Sequence, residues 1–232
     1  MTKTPLHHWT LDPNKAMQLQ EDFAKNLIMV WDGRPVNTLA GIDVSYTQDS
    51  IHAAVAVLRY PDLSHLSTVI GEAPQGFHYM AGLLAFREGP AILAAWERLK
   101  HKPDLLLIHG HGTAHPRRFG LASHIGLWLN LPTIGIAKTR LYGFQAEVGP
   151  QVGDWSKLLD EKEPDHVIGA VLRTCENANP IYISPGHLID LEHSIEFVLA
   201  CSRGCRMPEP LRAAHQAASK RAQNHHKFVT EA

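Results

Sequence analysis

A loop rich in histidine and glycine follows a short apolar run near the middle of the chain. Residues 105–118 read LLLIHGHGTAHPRR and include His109, His111 and His115. Imidazoles are common metal ligands, whereas glycines allow a backbone to approach a phosphate closely. The His-x-His-x₃-His spacing matches no established set of zinc ligands, so a histidine metal site is the least favoured interpretation of this loop.

Two acidic residues precede this loop along the chain. Asp43 lies inside the apolar stretch LAGIDVSY, and an ionised carboxylate is costly to bury in such a strand unless it is paired or binds a metal. Glu88 lies in LLAFREGP, at a predicted turn just before a helix, where a solvated glutamate is the commoner arrangement. Local pairing of Asp43 and solvation of Glu88 therefore stay open as alternatives to a functional site.

The histidine loop lies in a segment whose charges all have one sign. Residues 105–146 contain no Asp or Glu but include Arg117, Arg118, Lys138 and Arg140. Such a segment suits the phosphate backbone of a nucleic acid, and the amino end of a following helix also attracts anions. Lys138 closes the apolar run PTIGIAK, where a lysine is either a plain surface residue or a partner for a phosphate.

These side chains depend on strands and helices that the hydrophobic pattern predicts. Three β-rich segments separated by turn residues indicate a meander, and a strand, helix and strand after it indicate a parallel unit. Ligands in such mixed sheets tend to lie at the carboxyl ends of strands, where His109 is placed. The predicted elements are a helix at about 13–31, strands at 36–46, 51–60 and 63–72, a helix from Pro90, a strand at 104–108, a helix at 119–130, strands at 132–138, 166–173 and 180–184, and helices at about 190–203 and 209–223.

Composition favours one globular domain spanning residues 1–232. The chain is 44% hydrophobic and 19% charged, and its net charge of −1 argues neither for nor against a nucleic-acid partner. The start lacks a signal peptide, no apolar run approaches a membrane span, and the three cysteines form no disulfide framework. We therefore expect a cytoplasmic protein without a membrane partner, with a flexible tail from about residue 221.

Four sequence blocks together resemble the endonuclease V family of nucleases, which recognise inosine in nucleic acid. The blocks are AGIDVSY, AFREGP, GHGTAHPRRFGLASHIG and PTIGIAKTRLYG, and the resemblance extends over residues 40–218. It implies an RNase H-like fold, with a mixed five-stranded β-sheet flanked by helices. It also implies that the substrate is DNA or RNA containing inosine or other deaminated bases, with cleavage of a phosphodiester bond 3′ to the lesion, a role in DNA repair and action as a monomer.

The resemblance assigns catalytic roles to four residues. Asp43 and Glu88 are expected to hold Mg²⁺ through carboxylate oxygens, the hard ligands that this ion requires. Lys138 is expected to stabilise the phosphate, and His215 occupies a position near the metal where family members carry His or Asp.

The resemblance also assigns a strand-separating wedge and a base pocket. Tyr79 matches the wedge aromatic, although the usual Pro-Tyr-Ile-Pro is here HYMA, and the loss of both prolines removes rigidity. The glycines are expected to shape the pocket for a flipped base. With the cations described above, the predicted nucleic-acid contacts are Tyr79, Gly82, Gly110, His111, Gly112, His115, Arg117, Arg118 and Lys138.

His109 departs from the family pattern, which has a metal-binding Asp at this strand end. An imidazole offers one lone pair where a carboxylate offers two anionic oxygens, so Mg²⁺ is expected to bind more weakly. Imidazole suits Mn²⁺ and other transition ions better. The leading hypothesis is an active nuclease with altered metal preference, and the alternative is a homologue that binds nucleic acid without efficient cutting.

Overall fold

The computed structural model describes residues 5–230, with side chains described for 5–221 and for 223. One helix precedes a three-strand meander; a helix, a strand, a helix and five consecutive strands follow, and two helices come last in the described part of the chain. The helices are α1 (Pro13–Ala24), α2 (Leu84–Arg98), α3 (Leu121–Leu129), α4 (Leu191–Ser202) and α5 (Glu209–Thr230). The strands are β1 (Thr38–Tyr46), β2 (Ser50–Arg59), β3 (His65–Pro74), β4 (Leu105–His109), β5 (Thr133–Ala137), β6 (Phe144–Gln145), β7 (Trp155–Leu159), β8 (Val167–Leu172) and β9 (Ile181–His187).

The strands form one mixed sheet in the order β3-β2-β1-β4-β5-β9-β8-β7-β6. The meander β1-β2-β3 is antiparallel, whereas β4 runs parallel to β1 and β5 runs parallel to β4. The predicted mixed sheet flanked by helices is therefore confirmed, but the count of five strands is too low. The sheet continues because β9 pairs with the edge of β5, which satisfies backbone groups that an edge strand leaves unpaired.

Alternate residues of the central strands pack against helices on opposite faces. Leu39 of β1 belongs to the core that includes α4 and α5, while its neighbour Ala40 belongs to the core that includes α2 and α3. Side chains alternate along a strand, so Gly41 and Asp43 share the α5 face with Leu39. The helices thus cover both faces of the sheet and place α2 and α5 on either side of β1.

Helix α5 approaches β1 closely at Gly41. A Cβ atom built on Gly41 would lie 2.0 Å from the carbonyl oxygen of Pro210. The absence of a side chain therefore allows the first turn of α5 to lie directly on the strand. This contact fixes the helix that carries His215 against the strand that carries Asp43.

Three predicted helix boundaries are wrong. Helix α1 ends at Ala24 instead of residue 31, because the following chain forms tertiary hydrogen bonds from the Ile28 and Trp31 amides to His187 and Asp190. Helix α5 continues beyond its predicted end at about 223, to Thr230.

Helix α2 begins at Leu84, before Pro90 where its start was predicted. Pro90 is therefore inside the helix, and Glu88 lies within α2 instead of at a turn before it. Burial of the residues preceding Pro90 explains the early start, since Ala85 and Phe86 are both in the core. Their packing outweighs the cost of an internal proline, about 3 kcal/mol.

Candidate active site

The candidate active site lies where the carboxyl ends of the central strands meet helices α2 and α5. Because β1, β4 and β5 are parallel neighbours, Asp43, His109 and Lys138 come to the same edge of the sheet. Helix α2 adds Glu88 and α5 adds His215. All five residues line one cavity of about 560 Å³, so the structure brings together the four predicted catalytic residues and the His109 strand end.

Asp43 is a buried carboxylate whose two oxygens are both hydrogen-bonded to imidazoles. His109 donates from Nδ1 to Oδ1 at 2.7 Å, and His215 donates from Nδ1 to Oδ2 at 2.6 Å. Burial alone raises the pKa of Asp43, but the His109 and His215 interactions outweigh burial and leave the pKa below its usual value. Asp43 is therefore an ionised group, paired with long-range partners and not with a neighbour in sequence.

Glu88 is buried, with 6% of its surface exposed, so solvation at a helix entry is excluded. Burial raises the pKa of Glu88 to about 7, an effect that the nearby Asp43 charge increases and the hydrogen bond from Tyr46 opposes. The Tyr46 hydroxyl donates to the Glu88 carboxyl group across the cavity. Glu88 therefore changes charge near neutral pH, as expected for a carboxyl group next to a second carboxylate in a low-dielectric site.

Tyr46 is a site residue that sequence reasoning missed. Its hydroxyl contacts Glu88, and the Arg87 guanidinium lies 4.5 Å from the centre of its ring. Tyr46 lines the main cavity with Asp43, three positions before it on the same strand. Its place at the carboxyl end of that strand was the signal available in the sequence, because strand ends are where ligands bind in such sheets.

The donor set is suited to a transition ion by chemistry but is not arranged as a metal site. Asp43 and Glu88 offer carboxylates, and His109 and His215 offer imidazoles, a combination that suits Mn²⁺ better than Mg²⁺. Within residues 5–230, no three His, Cys, Asp or Glu side chains among those described are placed to hold an ion.

The three histidines of the loop all line the main cavity, but their rings have different partners. Burial lowers the pKa of His111 to about 4. The His115 imidazole donates from Nε2 to the Gly82 carbonyl at 2.8 Å and accepts at Nδ1 from the Arg117 amide at 3.1 Å. Both ring nitrogens of His115 are thus used in protein contacts, which disfavours a shared metal site with His109 and His111.

The Gly82 carbonyl oxygen accepts hydrogen bonds from three side chains, and we call this set of contacts the Gly82 junction. Besides His115, it accepts hydrogen bonds from Gln20 Nε2 at 3.0 Å and Arg117 Nη2 at 2.9 Å. Gly82 has a φ of +80°, which a residue with a side chain rarely adopts. These contacts anchor the loop that carries Tyr79, whose side chain is 71% exposed at the mouth of the cavity.

Gln20 is a second residue that the sequence did not indicate. Besides Gly82, its amide nitrogen donates to the Phe119 carbonyl at 2.8 Å, and its amide oxygen accepts from Arg117 Nε at 2.7 Å. A glutamine on a predicted amphipathic helix gives no local signal of such a role. The contacts span distant parts of the chain and become visible only in the fold.

The arginines of the histidine loop are engaged by protein groups. Arg118 pairs with Asp160 at 3.1 Å and Glu163 at 2.9 Å, both outside the acid-free segment of the sequence. Arg117 takes part in the Gly82 junction described above. The segment with charges of one sign in the sequence is therefore partly neutralised in space. Lys138 and Arg140 line the main cavity instead.

The glycines of the loop allow close backbone approach. A Cβ atom on Gly112 would lie 2.1 Å from the Pro185 carbonyl oxygen, and the Gly112 amide donates to Ser184 Oγ at 2.8 Å. Gly110 lines the main cavity between His109 and His111. Gly112 thus packs the loop against β9, and Gly110 leaves the backbone open to the cavity.

Comparison with known proteins identifies the family. The model of the Endonuclease V family matches residues 20–216. The chain belongs to the endonuclease V family. An Endonuclease V from Methanothrix thermoacetophila is 46% identical over 217 residues, covering 94% of this chain and 95% of that protein.

Solved endonuclease V structures confirm the fold class. The Streptomyces avermitilis Endonuclease V structure aligns with a TM-score of 0.87 and 34% identity, covering 94% of this chain and 96% of that one. A Ciona intestinalis Endonuclease V, in complex with DNA containing an inosine followed by a ribo-adenosine, aligns with a TM-score of 0.77 and 23% identity, covering 91% and 98% of the two chains. The predicted endonuclease V family membership is confirmed, and the homologues are nucleases.

Proposed function

We propose that this chain is a metal-dependent endonuclease that recognises inosine or other deaminated bases in DNA or RNA and hydrolyses a phosphodiester bond 3′ to the lesion. The observation that carries the proposal is the cavity at the strand ends, where Asp43, Glu88 and Lys138 converge on the family fold. The Ciona intestinalis relative bound to inosine-containing DNA supports the choice of substrate.

The metal-binding residues in this proposal are Asp43, Glu88 and His109. These residues would hold a Mn²⁺ or Mg²⁺ ion, which would supply an activated water and neutralise charge on the phosphate. The donor set described above favours Mn²⁺. His215 contacts Asp43 and orients its carboxylate, since its Nδ1 donates to Oδ2.

Lys138 acts on the phosphate. Its side chain is exposed at the edge of the cavity, and no ion pair to it is present in the described part of the chain. An ammonium group that is not neutralised by the protein attracts a phosphate oxygen and stabilises negative charge that develops there.

Tyr79 and the loop around it take the base in this proposal. The exposed ring of Tyr79 provides an aromatic surface for stacking, and the Gly82 junction fixes the base of its loop. Gly110 and His111 line the same cavity. A base withdrawn from its strand would enter this cavity beside them.

A second function is favoured by one specific observation. Both Asp43 oxygens are hydrogen-bonded to imidazoles, so Asp43 needs no cation to remain ionised. A chain with such a site that binds inosine-containing nucleic acid without efficient cutting is the alternative to the active nuclease.

The substitution His109→Asp tests the proposal. We expect weak cutting of an inosine-containing strand by the unmodified protein in Mg²⁺ and stronger cutting in Mn²⁺. His109→Asp should raise the Mg²⁺ rate by about tenfold or more, a gain of about 1.4 kcal/mol in transition-state stabilisation. The measurement is the single-turnover cleavage rate in each metal, with a matched adenosine strand as the substrate control.

His109→Asn serves as the matched control variant, because it removes the imidazole without adding a charge. A gain with Asn equal to the gain with Asp contradicts the ligand account. Full cutting by the unmodified protein in Mg²⁺ also contradicts it. If neither His109→Asp nor the unmodified protein cuts in either metal while the strand still binds, the binding function replaces the nuclease function.

A further inference from the structure

A second, smaller cavity opens beside the candidate active site. Its volume is about 140 Å³, below the range of roughly 300–1,000 Å³ of pockets that enclose whole small molecules. The main cavity extends from the active site toward Tyr79 and Gly82, whereas the second extends toward α5. The residues that line both cavities are Asp43, His109, Lys138 and His215.

The second cavity combines cationic and apolar groups. Arg212 and Lys138 supply the charge, Gln216 supplies an amide, and Met207 and Leu211 supply apolar walls. The acidic groups nearby are already paired, since Glu209 accepts from Arg212 at 2.7 Å and Asp43 accepts from two imidazoles. A phosphodiester group with its sugar meets these requirements, because its anion faces the cations and its ring faces the apolar side chains.

Arg212 keeps donors that the protein does not use. Its two described side-chain contacts, to Glu209 Oε2 and to Cys205 Sγ at 3.0 Å, both use Nη1. No hydrogen bond from its Nε or Nη2 is present among residues 5–221. The ion pair with Glu209 therefore holds the side chain while leaving part of the guanidinium for a phosphate oxygen.

We propose that Arg212, with Lys138, binds the phosphodiester backbone of the nucleic acid immediately beyond the cleavage point. This inference rests on the proposed function, in which the main cavity takes the deaminated base and the scissile phosphate lies at Asp43. The strand that leaves the active site away from the base then enters the second cavity. Arg212 is a binding residue for that side of the substrate.

Binding of nucleic-acid strands of two lengths tests this subsite separately from the rest of the binding surface. Equilibrium binding is measured without divalent metal for two single strands that share the inosine and everything before it. The long strand continues for several nucleotides beyond the cleavage point, and the short strand ends at that point. We expect the unmodified protein to bind the long strand more tightly.

The substitution Arg212→Gln should remove much of this advantage. We expect about a five- to tenfold weaker affinity for the long strand, little change for the short strand, and a salt slope for the long strand reduced by about 0.7. Glu209→Gln is the matched control, since it breaks the same ion pair but keeps the guanidinium, and it should bind the long strand at least as tightly as the unmodified protein.

The subsite is overturned if the unmodified protein does not distinguish the two lengths, if Arg212→Gln weakens both strands equally, or if Glu209→Gln reproduces the loss. The proposed function is tested separately by replacing inosine with adenosine in both strands. If inosine and adenosine strands bind equally while the length effect persists and depends on Arg212, the function fails and the backbone subsite remains.

Discussion

At the scale of single residues, His109 changes what Asp43 requires from its surroundings. An aspartate at position 109 would place a second carboxylate against Asp43, with Glu88 close by, and such a cluster needs a cation. His109 instead donates a hydrogen bond to Asp43 at 2.7 Å, and His215 donates another at 2.6 Å. The imidazoles therefore stabilise the carboxylate in the metal-free protein.

Repulsion between carboxylates at positions 43 and 109 should lower the stability of the metal-free protein. His109→Asp should lower the melting temperature of the metal-free protein by about 3–6 °C, corresponding to a loss of about 1.5 kcal/mol from carboxylate repulsion. Added Mn²⁺ should restore more of this loss in His109→Asp than in His109→Asn, which has no new charge. Thermal unfolding with and without metal measures both effects, and an unchanged melting temperature would show that the carboxylates do not interact.

The buried imidazole of His115 makes the stability of the folded protein depend on pH. Burial lowers the pKa of His115 to about 3 in the folded protein, compared with about 6.5 for an unfolded chain. The unfolded state therefore takes up the proton first as the pH falls. The stability that neutral His115 contributes is complete above about pH 6.5 and is lost as the pH falls from there toward about 3.

The substitution His115→Gln should make stability less sensitive to acid, because glutamine keeps a donor and an acceptor but does not titrate. Between about pH 4.5 and 6, the slope of unfolding free energy against pH should fall by about 1.4 kcal/mol per pH unit. Urea unfolding across this range measures the slope. The slopes of the two proteins should coincide above pH 7.5, and equal slopes below pH 6 would contradict a neutral buried His115.

At the scale of elements, the closest contact that positions the site is between α5 and β1. Gly41→Ala should lower the free energy of unfolding by about 1–3 kcal/mol, because the new methyl group overlaps the Pro210 carbonyl. Gly76→Ala is the matched control, since its nearest atom would be a Leu11 side-chain carbon at 3.5 Å, and it should change stability by less than about 0.5 kcal/mol. Denaturant unfolding of both variants measures the difference.

Strands were more predictable from this sequence than helix ends. The meander and the strands before His109 and Lys138 were predicted correctly, because apolar runs bounded by turn residues reflect burial on both faces of a sheet. The start of α2 was wrong because tertiary packing of Ala85 and Phe86 overrides the local signal of Pro90.

The wrong start predicted for α2 concealed how Glu88 is placed in the site. With α2 starting at Pro90, solvation of Glu88 stayed open beside the metal-binding role that the family resemblance implies, and the burial of Glu88 beside Tyr46 could not be inferred. The convergence of Asp43 and His109 follows from the parallel pairing of β1 with β4, which the sequence pattern did not predict, and the contact between Asp43 and His215 depends on how α5 crosses the sheet. Contacts across layers leave no periodic signal along the chain.

At the scale of the whole molecule, the net charge does not describe where the charged side chains lie. The net charge is −1, yet Lys138 and Arg140 line the main cavity. Arg118, which belongs to the same acid-free segment, is neutralised by Asp160 and Glu163. None of the helices in the described part of the chain is long and apolar enough to cross a membrane.

The salt dependence of nucleic-acid binding should distinguish Arg140 from Arg118. Arg140→Gln should reduce the slope of log affinity against log salt concentration by about 0.7 for a single strand, because one phosphate contact is lost. Arg118→Gln should leave the slope unchanged, since its charge is already paired within the protein. Binding titrations at several salt concentrations provide the test, and equal effects of the two substitutions would contradict the assignment.

The codon of His109, at the carboxyl end of β4, determines how easily this residue changes by mutation. Codons for histidine and aspartate differ only in their first base, so one transversion converts His109 into the acidic residue expected of the family. The cavity and its other groups, including Asp43, Glu88 and Lys138, require no accompanying change. A single base change therefore separates this site from the site with aspartate at position 109 that the proposed function contrasts with it.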